Sequence, residues 1–174
     1  MYILGDIGNS ETKIFLVNSN YKILKNIILP TKEINNKILK SNIKKLTSNF
    51  DGIKKLLFCS VVPKSYKIIK KFLSQKTKIK CYEIKDLNLK SLININVNFK
   101  QVGSDRLTNA ISLLNNKDNF IILDFGTATT FDVVIKKNYK GGIIAPGVRI
   151  SLNTLSDKAS LIPKINLKKI KRIV

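Results

Sequence analysis

Two stretches decide how this chain is read: DIGNSETKI at residues 6–14 and LDFGTATTFDVV at residues 123–134. In each, an apolar run (YILGDI, then NFIILDF) reaches an aspartate, and a glycine stands two positions later. A hairpin turn needs one or two special residues. These turns carry more: an acid and a glycine in both, Asn9, Ser10 and Lys13 in the first, Thr127 and Thr129 in the second. Glycine adopts positive φ and lets a ligand approach the backbone without a Cβ in the way. Amide N–H groups in such a turn, flanked by short polar side chains, form a cradle for phosphate. The aspartate would repel phosphate by itself, so it makes sense through a cation, with magnesium the obvious candidate. Lys13, just past the turn, adds a point positive charge. Either hairpin alone is as readily a glycine turn with local hydrogen bonds. Two at matching places point to a ligand.

Working outward, the order of elements repeats as the hairpins do. YILGDI, TKIFLV and YKILKNIIL read as strands, followed by helical apolar spacing over residues 33–48. KLLFCSVV and KIKCYEI read as buried strands around a helix at residues 64–74, and SDRLTNAISLLNN as a helix with apolar positions Leu107, Ala110, Ile111 and Leu114. Then NFIILDF, the strand after the Gly-Thr turn, YKGGIIAPG and the helix VRISLNTLSDKAS restate the opening. This repeat of architecture predicts two α/β domains of one kind, at residues 1–115 and 116–174, the second incomplete.

The composition narrows the chemistry. With 44% hydrophobic residues in 174, the chain can bury a core. It contains no histidine, which excludes a histidine base, a histidine-ligated zinc and a Ser-His-Asp triad within it. Acid–base work falls to carboxylates, lysine or tyrosine. Cys59 and Cys81 have no metal-ligand spacing, and Cys59, inside KKLLFCSVV, is expected in the core. The net charge of +21 invites a nucleic-acid reading, but the lysines scatter along the chain and onto the polar faces of helices. They read as a compositional bias, not a nucleic-acid surface. No apolar run matches a membrane span and no secretory leader opens the sequence, so a cytoplasmic protein without membrane contact is the expectation.

The two loops resemble those of the acetate and sugar kinase, Hsp70 and actin superfamily. More narrowly, five blocks resemble the type III pantothenate kinases: DIGNSETK (6–13), SVVP (60–63), VGSDR (102–106), LDFGTATTFDVV (123–134) and GGIIAPGVRISLNTLSDKASLIPKI (141–165). The resemblance implies two ribonuclease-H-like (actin-like ATPase) domains with mixed sheets. It implies ATP-dependent phosphorylation of pantothenate to 4'-phosphopantothenate, with Mg2+, a monovalent cation (K+ or NH4+) and a homodimer. By the same resemblance, Asp6, Ile7, Gly8, Asn9, Ser10, Glu11, Thr12, Lys13 and Thr127 bind ATP, with Asp6 also organising Mg2+. Asp124 holds the monovalent cation. Gly103, Ser104, Asp105 and Arg106 meet the substrate, with Asp105 the general base and the Arg106 guanidinium suited to a carboxylate.

The pattern is departed from in two places. Asn96 stands where the family often has a substrate-contacting tyrosine, and Phe99 where it often has proline. Family members also continue with a glycine–threonine turn and closing helices, so the sequence is expected to be either a fragment or a shortened protein. Two alternatives accompany the kinase reading: a non-catalytic accessory or regulatory relative, and a kinase of the same fold for another small hydroxyl compound.

Overall fold

The computed structural model describes residues 1–115 and 117–163. Two mixed sheets organise them. In the first, β1 (Tyr2–Ile7) is the middle strand, with β2 (Glu11–Val17) and β3 (Ile23–Pro30) antiparallel on one side. On the other side, β4 (Lys55–Ser60) and β5 (Cys81–Glu83) run parallel, giving the order β3-β2-β1-β4-β5. Parallel neighbours need a crossover, and α1 (Asn36–Leu46) and α2 (Pro63–Ser74) supply two. Asn35 caps α1 by accepting from the Ile38 N–H at 3.0 Å, and Pro63 opens α2 where a missing N–H costs nothing. Ile3, Ile7, Ile14, Leu56 and Phe58 from the strands pack with Leu39, Ile43, Leu46, Ile69 and Leu73 from the helices.

The second sheet has the order β6-β9-β8-β7, from β6 (Asn94–Ile95), β7 (Asn119–Phe125), β8 (Ala128–Ile135) and β9 (Asn138–Pro146). α3 (Ser104–Ser112) lies on one face and brings Leu107 and Ala110 to Ile122, Val134 and Tyr139. α4 (Val148–Lys158) follows β9. On the sheet's other face, Ile121, Leu123 and Phe125 of β7 are exposed.

The strand–helix order expected from the sequence is the one observed. The boundaries differ in instructive ways. The strand expected over KIKCYEI shrinks to Cys81–Glu83, because the chain turns into a tight helical turn at Ile84–Asp86 that Glu83 caps. β6 was not foreseen: two residues are too short to show a period. The second buried cluster gathers residues from Leu89 onward and includes Leu107 and Ala110 of α3. Residues 164–174 of the expected second unit lie outside the described residues. Among the described residues, no helix is long and apolar enough to cross a membrane.

Candidate functional site

Both glycine turns open onto one cleft of about 410 Å3. The first turn closes with the Gly8 N–H on the Glu11 carbonyl at 3.0 Å. It is braced from behind by Thr31, at the end of β3. The Thr31 N–H bonds the Ser10 carbonyl at 3.0 Å, and its hydroxyl donates to the Gly8 carbonyl at 2.7 Å while contacting the Thr12 hydroxyl at 2.9 Å. The second turn is closed by the Gly126 N–H on the Ala128 carbonyl at 2.9 Å. The two turns touch: Ser10 Oγ and Thr127 Oγ1 are hydrogen-bonded at 2.8 Å across 117 residues of sequence. The hairpins read from the sequence as a pair are thus paired in space.

Four carboxylates line this cleft: Asp6 from β1, Glu11 from β2, Asp105 from α3 and Asp124 from β7. Burial pushes the Asp105 carboxyl above its ordinary range. The Arg106 N–H, bonded to Asp105 Oδ1 at 2.8 Å, pulls it down, but the negative fields of Asp124 and Asp6 push it further up. A carboxylate with raised proton affinity is a stronger base. Asp124 is oriented by Asn109, whose side-chain N–H donates to Oδ2 at 3.0 Å. Asp6 accepts a weak bond from the Cys59 thiol at 3.4 Å. Burial and the neighbouring Asp6 drive the Cys59 thiol far up, so it stays a donor. Expected as a plain core residue, Cys59 is half-buried beneath the site. Lys13 lines the cleft with its ammonium 3.9 Å from Glu11, an exposed pair that leaves the charge available to a ligand.

The other expected residues fall elsewhere. The side chains of Ile7 and Thr12 are fully buried, Ile7 in the core and Thr12 against Thr31, so only their backbone faces the turn. Gly103 is the N-cap of α3. Ser104 is buried and bonded to the backbone of Ser60. Asn96 is exposed beside β6, its N–H on the Tyr139 carbonyl at 3.0 Å, away from the cleft lining. Arg106, expected to meet a substrate carboxylate, is 9% exposed as a residue and engages Asp132, with Nε 2.8 and 3.1 Å from the two carboxylate oxygens. The sequence reading missed Thr31, Asn109, Asp132 and Tyr139. Asp132 had left a trace, as an acid inside the apolar run FDVVI of a strand, where burial would demand a partner for its charge.

The cleft suits a cation arriving with phosphate. Among the described residues no group of three or more carboxylates and thiols is close enough to cage a metal ion. Mg2+ does not require one, since it binds through one or two carboxylates and substrate phosphates. Asp6, whose field together with that of Asp124 already raises Asp105, fits such a shared role, and Asp124 offers a carboxylate to a second cation.

A protein-family model described as Type III pantothenate kinase matches residues 2–174. A Type III pantothenate kinase of Pelagibacter ubique (strain HTCC1062) is 62% identical over 174 residues, covering 100% of this chain and 70% of that protein. One from Desulforapulum autotrophicum is 33% identical over 174 residues, covering 96% of this chain and 66% of that protein. The chain therefore spans about two thirds of the length of these curated relatives. Among solved structures, one from Campylobacter jejuni, described as a Baf family transcriptional activator, superposes with a TM-score of 0.54 at 17% identity, covering 98% of this chain and 68% of its own. A Sinorhizobium meliloti structure described as a 2-dehydro-3-deoxygalactonokinase gives 0.51 at 8% identity, over 91% of this chain and 58% of its own. At those identities they show the fold alone, a mixed α/β arrangement with two sheets. By sequence, the chain belongs to the type III pantothenate kinase family.

Proposed function

We propose that the protein transfers the terminal phosphoryl group of ATP to the primary hydroxyl of pantothenate, giving 4'-phosphopantothenate and ADP in the first step of coenzyme A synthesis. One observation carries the reading: Asp105, its proton affinity raised by burial and by two other carboxylates, opens onto the cleft that both glycine turns line. Family membership supplies the substrates. Asp105 takes the hydroxyl proton as the new O–P bond forms, and the bond from the γ-phosphorus to the bridging oxygen breaks to release ADP. The backbone N–H groups of residues 9 and 10, with the Ser10 and Thr127 hydroxyls, hold the phosphates, and Lys13 offsets their charge. Asp6 would hold Mg2+ and Asp124 a monovalent cation, K+ or NH4+; bound there, the cations neutralise charge on the phosphates. A cytoplasmic homodimer completes the reading.

A second acceptor is the alternative that a specific observation favours, because Arg106 is engaged by Asp132 and Asn96 lies outside the cleft. Incubation of the purified chain with ATP, Mg2+, K+ and a panel of small alcohols, followed by mass spectrometry, separates the two. Phosphorylated pantothenate as the main product supports the first reading. ATP consumption that ignores pantothenate and follows another alcohol overturns it.

A further inference from the structure

Asp105 is flanked by two residues tied to opposite halves of the molecule. On one side, Ser104 Oγ accepts from the Ser60 N–H at 2.7 Å and donates to the Ser60 carbonyl at 2.8 Å, at the end of β4 in the first sheet. On the other, Arg106 Nε donates to both oxygens of Asp132, on β8 in the second sheet. Arg106 Nη2 lies 2.6 Å from Asp132 Oδ1, a charge contact without a hydrogen-bonding angle. From β9, the Tyr139 hydroxyl donates to the same Oδ1 at 2.5 Å. Asp132 and Tyr139 are 0% exposed. Gly142, the register partner of Asp132, makes room: a Cβ there would stand 2.8 Å from Arg106 Nη2 and overlap the Phe131 carbonyl.

We infer that Asp132 and Tyr139 are positioning residues that act through Arg106, pinning the first turn of α3 to the second sheet while Ser104 pins it to the first, so that Asp105 is held at the junction of the two halves. A buried ion pair adds little net stability, because desolvation offsets the attraction, so geometry is the better account of its presence. A guanidinium fork gripped by a carboxylate, itself fixed by a tyrosine, leaves little rotational freedom. The bond from the Arg106 N–H to Asp105 Oδ1 passes that rigidity to the base. A base misplaced by about 1 Å costs roughly 100-fold in rate.

The kinetic arm of this inference rests on the phosphoryl-transfer reading; its spectroscopic arm does not. The test compares the full chain with Asp132→Asn and Tyr139→Phe. The first keeps one acceptor oxygen, and the second keeps the ring, so Tyr139→Phe decides the matter where Asp132→Asn does not fold. In steady-state assays, kcat is expected to fall about 10- to 100-fold in Asp132→Asn and roughly 3- to 10-fold in Tyr139→Phe, with KM for ATP and pantothenate within about twofold. A raised pantothenate KM at unchanged kcat, or no change at all, overturns the inference, since Asp132 would then serve acceptor binding or nothing. Absence of transfer by the unmodified chain counts against the functional reading alone. In that case 15N NMR decides: the Arg106 Nε–H is slow to exchange in the unmodified chain, and both variants speed its exchange and shift the amides of residues 104–107. Unshifted amides overturn the inference.

Discussion

At Asp105, burial and the fields of Asp124 and Asp6 prevail over the Arg106 N–H and guanidinium, and the folded carboxyl holds its proton more tightly than an ordinary aspartate. The folded state therefore binds more protons than the unfolded chain, and stability falls as pH rises from the ordinary aspartate range through the raised value. Asp105→Asn removes that penalty. It is expected to raise the melting temperature at pH 7 and to lose the advantage in acid, as scanning calorimetry at both pH values would reveal. The same substitution removes the base and should cut turnover by about 10^2- to 10^4-fold. Because the ionised form is the active one, kcat/KM should decline as pH drops through a value above the usual aspartate range, which a pH–rate profile reads directly. Thr31 makes the second residue-scale prediction. Thr31→Val keeps the shape but leaves the Gly8 carbonyl without its donor, so it should cost about 1–3 kcal/mol in urea unfolding. It should also weaken ATP binding in a nucleotide titration, because the turn is held from behind by that hydroxyl.

Among the elements, the packing of α3 on β8 and β9 is where a backbone position matters most. Gly142→Ala would force a Cβ into the Phe131 carbonyl and toward the Arg106 guanidinium, with an expected loss of about 1–3 kcal/mol measured by chemical denaturation. The elements themselves were legible in the sequence wherever an apolar period ran long enough, as in YILGDI, TKIFLV and the helix from Ser104. What stayed hidden depends on contacts between distant segments. Thr31 is a plain threonine after a strand until β3 delivers it behind residues 8–10. Arg106 beside Asp105 suggests a local pair, yet its partner is Asp132, 26 residues away, because α3 lies across the second sheet. Of the site, the loops and Asp105 could be read from spacing and resemblance. The direction in which Arg106 turns could not, since it is set by a tertiary packing that no local pattern encodes.

On the scale of the whole molecule, the cleft exists because two sheets present the same kind of turn to one another, joined by the Ser10–Thr127 contact and by α3. A ligand that touches both turns binds the folded state alone, so ATP at about 100 times its Kd should add about 2.7 kcal/mol of stability, seen as a higher melting temperature. Ser10→Ala with Thr127→Val should reduce that shift. The net charge of +21, its lysines scattered along the sequence, offers a general attraction for anions. The most direct test of the account is the product formed from ATP and pantothenate, followed by 31P NMR with the unmodified chain and with Asp105→Asn. The account predicts a phosphomonoester signal that appears with ADP and depends on pantothenate, and its loss in Asp105→Asn while ATP still raises the melting temperature. Phosphopantothenate formed at an undiminished rate by Asp105→Asn, or ATP consumed without it, would contradict the account.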